Sequence, residues 1–365
     1  MSIILFLIIL VILIVSHEFG HFIVAKKSGI RVDEFAIGFP PRLWSTKRGE
    51  TEYSVNALPF GGFVKIFGEN PDEESMHGVD SKRSLSNQPR RIQAAVIGAG
   101  VVFNLLLAWV LISFGFMLGF PTSLSGSEYE AYSKESALTV ISVSEGGPAD
   151  KAGLKPGDKL LSLSFGGDLI APSSSEDVRE FIGRHGKDAV SLSYESSGKI
   201  QETSVIPEEG ILSDRPAIGI ATDIIAIVTL PPHLAVWEGA KSTYFLTSGT
   251  VQGLVKLVKG AFTGEGGFSS ITGPVGIVKM VGDANALGFS YLIGFTALIS
   301  INLAVVNLIP VPALDGGRLL FVLIEAVRKK PIKPQVANTV NAVGFALLII
   351  LMVAVTYNDI VKLVS

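Results

Sequence analysis

Four long apolar segments constrain the fold of this 365-residue chain more than any other feature. They lie at 3–25, 94–118, 288–309 and 340–357. A helix needs roughly 20 residues to cross a bilayer, and all four segments are near that length. The composition agrees, since 48% of the residues are hydrophobic and only 17% are charged. The pattern therefore predicts a polytopic α-helical membrane protein with about four transmembrane helices.

The first apolar segment contains His17, Glu18 and His21 in the pattern H-E-x-x-H. Helical residues four apart lie on one face, so both imidazoles can bind one Zn²⁺. Glu18 then lies beside the metal, where it can take a proton from activated water and pass it to a leaving amine. Ionisable side chains are costly in an apolar helix. This favours a zinc peptidase site over a polar crevice without metal.

A catalytic zinc ion with two histidine ligands needs a third protein ligand and an open position for water. The chain has no cysteine, so histidine and carboxylate must supply the ligands. Two prolines end the third apolar segment, and Asp315 follows them in the sequence Asp-Gly-Gly. Asp-Gly-Gly is also a common turn sequence. Asp315 is nevertheless the best-placed carboxylate near the end of a span, and we predict it as the third ligand.

The connection between the first two spans contains a predicted hairpin. Segments 53–55 and 63–66 have strand character and flank the Gly-rich turn at 58–62. The hairpin is either an ordinary cytoplasmic one or a re-entrant one at membrane depth. In the second case its strand edge could hold a substrate in extended form. The acidic stretch 69–80 that follows is predicted to be a solvated loop.

Asn104 places an amide in the otherwise apolar second span. One interpretation is a hydrogen bond between helices, which is common in membranes. The other is an oxyanion-stabilising or ligand-orienting donor. Both interpretations stay open here, and Asn104 is included among the candidate substrate-binding residues.

The long connection between the second and third spans predicts a separate domain. Residues 121–137 are rich in Ser and small residues and predict a linker, whereas 138–222 mix strand, turn and short-helix patterns in one small α+β domain. Residues 223–286 predict an amphipathic helical region, as a helix or helix pair. The N-terminal membrane core is thus 1–120 and the C-terminal one 287–365.

The basic residues predict the orientation in the membrane. Lys and Arg are frequent between the first two spans, at 26–91, and between the last two, at 318–333. Positive charge marks cytoplasmic connections. We therefore expect the termini and segment 119–287 on the outer side. A net charge of -3, without a basic cluster interleaved with aromatic residues, excludes a nucleic-acid partner from the expected functions.

Motifs spread along nearly the whole chain resemble those of the bacterial site-2 intramembrane metalloproteases, and in particular the regulator-of-sigma-E protease group. The motifs are His17-Glu18-x-x-His21, Gly61-Gly62-Phe63-Val64-Lys65, Gly100-x-x-x-Asn104, Gly147-Pro148-Ala149-Asp150 with Ala152-Gly153-Leu154-Lys155-Pro156-Gly157-Asp158, Gly273-Pro274-Val275-Gly276, and Asn307-x-x-Pro310-x-Pro312-x-x-Asp315-Gly316-Gly317.

The resemblance implies a zinc cofactor with Asp315 as third ligand and Asn307 as a residue that helps to hold substrate. It also implies that the hairpin, with Gly61, Gly62 and Phe63, supports an extended substrate strand. The outer domain would be a single PDZ domain. The protein would lie in a bacterial inner membrane, in contact with lipid, and cleave transmembrane segments of trimmed anti-sigma factors and remnant signal peptides.

Two departures from the family pattern matter. The family usually has Gly-Pro where this chain has Gly100-Val101, which leaves the local helix shape open. Some members carry two tandem PDZ domains, and this chain shows one such signature. Two rival functions are a non-catalytic PDZ scaffold and a zinc transporter. The complete set of candidate catalytic residues argues against the scaffold, and the lack of further His or acidic residues along the spans argues against the transporter.

Overall fold

Two compact units make up the described part of the chain. The computed structural model describes residues 1–70, 72–124, 129–144, 146–186, 188–196, 198–211, 215–263, 272–330 and 332–364. The first unit comprises Met1–Ser113, Val236–Asn285 and Ile293–Ser365. The second comprises Phe114–Ala235 and Ala286–Leu292.

Helices account for most of the first unit and for a small part of the second. In chain order, the α-helices of the described residues are α1 (Ser2–Lys27), α2 (Glu73–His77), α3 (Arg90–Leu118), α4 (Pro148–Lys151), α5 (Ser175–Arg184), α6 (Pro232–Thr263), α7 (Pro274–Leu287), α8 (Phe289–Leu308), α9 (Asp315–Arg328) and α10 (Pro334–Val364).

Four of these helices are long and apolar enough to cross a membrane, judged by length and composition. They are α1, α3, α8 and the Gln335–Val361 part of α10, and they coincide with the four predicted segments. On α1, the buried residues Ile9, Leu13, His17 and Gly20 recur at spacings of three and four. Such a stripe faces neighbouring protein. The two histidines of the motif therefore lie at or beside the packed face of α1.

The packing of α1 against α3 depends on a close backbone approach. A Cβ atom added to Gly20 would lie 2.5 Å from the carbonyl oxygen of Ala99. The Ser300 hydroxyl of α8 donates to the carbonyl oxygen of Asn104 at 2.8 Å and joins α8 to α3. Small residues that permit such approaches are typical of packed membrane helices. Three spans are thereby held together around the H-E-x-x-H segment.

A small antiparallel sheet follows α1, formed by β1 (Val32–Arg48) and β2 (Thr51–Ile66). Phe35 of β1 pairs with Val64 on one side and with Tyr53 on the other. Residues 62–66 and 51–55 therefore lie on opposite edges of the first half of β1. The second half of β1 folds back and pairs with the start of β2, for example Trp44 with Val55.

This pairing corrects the predicted hairpin. Segments 53–55 and 63–66 do not pair with each other, because the strand at 32–37 lies between them. After the Gly-rich segment 58–62, the chain pairs with the opposite edge of β1. A local pattern could not reveal this, since the inserted strand comes from earlier in the chain. Within the described residues, 62–66 has no strand partner on its outer edge.

Ion pairs connect the turn of this sheet to neighbouring segments of the chain. The Glu50 carboxylate accepts hydrogen bonds from Lys26 Nζ and Arg83 Nη2, both at 2.7 Å. Glu50 thus connects the end of α1 with the segment that precedes α3. One acceptor holds two cations, so this contact depends on an ionised carboxylate.

Among its described residues, the second unit contains an antiparallel sheet of seven strands. The strand order is β3-β9-β4-β5-β7-β8, and β6 pairs with β5. Its core includes Leu138, Val140, Leu163, Phe181 and Leu192. The strands are β3 (Phe120–Ser123), β4 (Ser133–Val143), β5 (Lys159–Phe165), β6 (Asp168–Ile170), β7 (Val190–Ser196), β8 (Lys199–Val205) and β9 (Ile220–Val228).

Two predicted boundaries of this domain were wrong. The expected linker 121–137 contains most of β3 and the first part of β4, and the expected end at 222 lies inside β9. Ser133 pairs with Val228, so these polar residues are held by the partner strand and not by an apolar pattern of their own. Residues 125–128 of the expected linker lie outside the described residues.

The region after the sheet is helical. It consists of the continuous helix α6, without a break into a helix pair, and of α7. The amide groups of Gly273 and Gly276 donate to the carboxylate of Asp359 at 3.1 and 2.9 Å. A carboxylate at a helix N-terminus satisfies unpaired amide groups there. Asp359 of α10 thus anchors α7. The Gly-rich stretch 264–267 lies outside the described residues.

Candidate metal centre

Three predicted ligands converge in the first unit. His17 Nε2 and His21 Nε2 lie 3.1 and 3.4 Å from Asp315 Oδ2. The two Nε2 atoms are 3.2 Å apart. The side chains are only 11%, 12% and 17% exposed, respectively. The fold therefore brings Asp315, nearly three hundred residues away in sequence, to the H-E-x-x-H pair.

The spacing of these atoms fits zinc. Zinc bonds of about 2.0–2.1 Å in a tetrahedral arrangement place ligand atoms roughly 3.3–3.4 Å apart. The observed separations of 3.1 to 3.4 Å match this geometry closely. In addition, Asp315 Oδ2 is buried and makes no hydrogen bond of acceptable geometry, although two imidazoles are beside it. Buried polar atoms are normally satisfied. A cation between the three atoms would satisfy this one.

Asp315 owes its position to the two glycines that follow it. A Cβ atom on Gly316 would lie 2.2 Å from the carbonyl oxygen of Ile309, and one on Gly317 would lie 2.3 Å from that of Val311. The first turn of α9 therefore packs directly on the loop that precedes it. Only glycine permits this approach, which explains why Asp-Gly-Gly here is more than a turn.

Backbone and side-chain groups behind the histidines orient their rings. His21 Nδ1 lies 2.8 Å from the carbonyl oxygen of Val96, an acceptor only. The proton is therefore on Nδ1, and the Nε2 lone pair faces Asp315. His17 Nδ1 lies 3.3 Å from the amide of Asn104. Both histidines thus have a partner on α3.

The contact with Asn104 revises the grouping of that residue with substrate-binding residues. Asn104 is completely buried, so it has no surface for substrate. The structure has Nδ2 facing His17 and leaves Oδ1 without a hydrogen bond. Turning the amide by 180° would let Oδ1 accept a hydrogen bond from His17 Nδ1, so that this oxygen and the ring N–H would each have a partner. The structure thus places the Asn104 amide beside His17 Nδ1, a position that fits a ligand-orienting role, one of the roles considered from the sequence.

Gly100 provides the space in which both rings lie. A Cβ atom there would be 2.4 Å from His21 Nε2 and 2.6 Å from His17 Cε1. Gly100 and Asn104 are one turn apart on α3, which runs without interruption through Val101. The absence of proline at 101 thus leaves a regular helix. From the sequence, Gly100 was identified only as part of a motif, and its close approach to the two histidines was not predicted.

Glu18 lies in a cavity of about 300 Å³ beside the three ligands. Its carboxylate accepts a hydrogen bond from the amide of Val64, in the edge segment 62–66 of β2. Phe63 also lines the cavity. Gly62 lies near Glu18, with a virtual Cβ 3.8 Å from its Cγ, whereas Gly61 packs against the ring of Phe39.

Asn307 was predicted as a site residue, whereas Arg318 and Glu69 were not. Asn307 is half-buried near the end of α8 and is not among the described residues that line the cavity. Arg318 and Glu69 do line it, and they form an ion pair. Arg318 lies one helical turn after Asp315, so spacing on α9 could have identified it. Glu69 was wrongly assigned to a solvated loop.

Comparison with known proteins agrees with the site. The chain matches the model of peptidase family M50 over residues 5–351. A candidate zinc metalloprotease of Clostridium perfringens is 37% identical over 96% of this chain and 95% of its own length. The regulator of sigma-W protease RasP of Bacillus subtilis is 30% identical over 99% of each chain. That alignment spans 438 positions, so RasP has insertions relative to this chain.

A solved structure also matches part of the chain. The PDZ domain of an SdrC-like protein of Listeria monocytogenes is 23% identical, covers 24% of this chain and 90% of its own, and has a TM-score of 0.21. A score this low assigns no fold. The match over residues 5–351, the relatives named as zinc metalloproteases and the four apolar helices show that the chain belongs to peptidase family M50 and is a membrane-bound zinc metalloprotease of the site-2 type.

Proposed function

We propose that the protein is an intramembrane endopeptidase that cleaves the transmembrane segments of single-pass proteins in a bacterial inner membrane. One observation carries this proposal: His17, Glu18 and His21 lie near the middle of an apolar helix, and Asp315 of α9 meets the two histidines there. At 1.5 Å per residue, His17 is roughly 22 Å from Ser2 and about 15 Å from Lys27. A hydrocarbon core of about 30 Å encloses such a position.

His17, His21 and Asp315 would hold the zinc ion. Zinc bound there supplies Lewis acidity, which polarises the scissile carbonyl and makes a water molecule acidic. Glu18 takes the proton of the attacking water on its carboxylate, which the Val64 amide orients. Glu18 then delivers that proton to the leaving amine.

The substrate would lie along the outer edge of β2. Residues 62–66 leave this edge unpaired among the described strands, and Val64 and Phe63 line the catalytic cavity. A peptide added to such an edge is extended, and its carbonyl groups are no longer hydrogen-bonded within a helix. The substrate helix must therefore unwind locally. Asn307 would contact the substrate outside the cavity, while Gly61 and Gly62 shape the bend that presents the edge.

The names of relatives and the distribution of charge support a choice of substrates and of orientation. The name of RasP refers to a regulator of a sigma factor, which supports trimmed anti-sigma-factor-like proteins as substrates. Remnant signal peptides would be a second class of substrate. The basic residues at 26–91 and 318–333 support a cytoplasmic location for both connections. Segment 119–287 would then lie on the outer side, where a PDZ-like domain would exclude untrimmed substrates.

Cleavage of a defined substrate in lipid vesicles tests this proposal. The substrate is a single-pass protein without its outer domain, and mass spectrometry locates the cut. The wild-type protein should cut within the apolar segment. Glu18→Gln should bind zinc as the wild type does and should not cut, while Glu74→Gln, an exposed control, should cut normally. Cleavage by Glu18→Gln, or a cut confined to the flanking polar residues, would refute the mechanism.

A further inference from the structure

The loop that presents Asp315 contains an unusual backbone conformation. Ala313, two residues before Asp315, has a φ of 73°. Residues with a Cβ rarely adopt this left-handed conformation, and it persists where surrounding contacts impose it. The chain turns at Pro312 and Ala313, just before α9 begins, so this conformation bears on where the carboxylate points. The contacts of Ala313 therefore bear on the metal site.

Asn341 of α10 supplies such a contact. The Ala313 amide donates to Asn341 Oδ1 at 3.3 Å. Asn341 lies in the part of α10 that is apolar enough to span a membrane. A carboxamide is costly there unless a partner satisfies it. The contact with Ala313 provides that partner and holds the loop at the same time.

Gly344 fixes the same loop from one turn farther along. A Cβ atom on Gly344 would lie 2.4 Å from Pro312 Cβ and 2.7 Å from the Pro312 carbonyl oxygen. Residues three apart share one face of a helix. Asn341 and Gly344 therefore form one surface of α10, on which the Pro312-Ala313 segment rests through a hydrogen bond and a direct backbone contact.

We infer that α10 positions the third metal ligand: Asn341, acting through the Ala313 amide, and Gly344, acting through Pro312, hold the loop in the conformation that directs Asp315 to His17 and His21. This inference rests on the proposed role of Asp315 as a zinc ligand. Asn341 is not among the described residues that line the catalytic cavity, so its role would be that of a positioning residue.

Zinc affinity of the purified full-length protein, measured by competition with a chelator, tests the inference. Asn341→Leu removes the acceptor and should weaken zinc binding about tenfold, the lower end of the range for residues behind metal ligands. Asn341→Asp keeps an oxygen acceptor and should stay within about threefold of wild type. Asn338→Leu, one turn earlier and exposed, is the matched control and should bind zinc normally. Under saturating zinc, Asn341→Leu should lower kcat and leave KM unchanged.

The variants distinguish a wrong assignment of the metal centre from a wrong inference about α10. If Asp315→Ala does not weaken zinc binding, the proposed metal centre is wrong, and the inference fails with it. If Asp315→Ala weakens binding and Asn341→Leu binds zinc as the wild type does, only the inference is overturned. Should Asn341→Leu fail to fold, Gly344→Ala decides, because it adds one methyl group and keeps the amide. Normal zinc affinity in Gly344→Ala would then overturn the inference.

Discussion

Replacing Gly100 by alanine should abolish tight zinc binding, whereas the same change at Gly98 on α3 should be harmless. The added Cβ would lie 2.4 Å from His21 Nε2 and 2.6 and 2.8 Å from two atoms of His17. Carbon and nitrogen atoms in contact are normally about 3.5–4.0 Å apart. At least one imidazole must therefore move by roughly 1 Å. Metal sites tolerate deviations of about 0.2 Å in their bond lengths.

The expected magnitude follows from this displacement. Loss of a residue behind a metal ligand costs about 10–100-fold in affinity. Direct displacement of a ligand atom should cost at least about 100-fold, which corresponds to roughly 2.8 kcal/mol. Overpacking should also lower the stability of the protein by about 1–3 kcal/mol.

Gly98 provides the matched control. It lies on the same helix, and a Cβ atom there would meet nothing within 4 Å. Alanine is favoured over glycine in a helix by about 1 kcal/mol. Gly98→Ala should therefore bind zinc normally and melt at the same or a higher temperature. Chelator competition and thermal melting on both variants are the assay. Wild-type zinc affinity in Gly100→Ala would refute the close approach of α3 to the two histidines.

Three further predictions concern other parts of the first unit and the topology. Asn104→Leu should weaken zinc binding about tenfold, because His17 Nδ1 loses its hydrogen-bond partner. Unchanged zinc affinity in chelator competition would contradict this prediction. The hydrogen bond from Arg83 and the neighbouring lysine ammonium lower the pKa of Glu50 to about 2. The unfolded state then binds the proton more readily, so this contribution to stability is complete above about pH 4.5 and is lost as the pH falls towards 2. Melting temperatures of wild type and Glu50→Gln should therefore differ at pH 6 and converge near pH 2; a constant difference would contradict the ion pairs. Single cysteines at Lys82 and Ser191 should react with an impermeant reagent from opposite sides of the membrane, and labelling from one side would refute the four-span orientation.

The membrane helices and the core of the site could be predicted from sequence because their signals are local. An apolar run long enough to cross a bilayer needs no knowledge of its neighbours. The chemistry of H-E-x-x-H likewise predicts a missing third ligand, and Asp315 was the carboxylate best placed to supply it. The structure brings these residues within 3.4 Å of one another.

The predictions that failed involve partners far apart in sequence. The hairpin was wrong because residues 32–37 insert between its two arms. The start of β4 was missed because its polar residues are held by β9 and not by an apolar pattern. Likewise, the orientation of Asn104 depends on a histidine 87 positions earlier. Such pairings are determined by tertiary packing, and they leave no local periodicity in the sequence.

X-ray absorption at the zinc edge of the purified protein tests the central claim most directly. The chain has five histidines, and only His17 and His21 belong to the proposed site. The account predicts one zinc ion per chain, nitrogen and oxygen ligands at about 2.0–2.1 Å, and outer-shell scattering from two imidazole rings. In Asp315→Ala, the two imidazoles should remain around any residual zinc. A spectrum with no imidazole or with three, or a spectrum and zinc content unaffected by Asp315→Ala, would contradict the proposed metal centre.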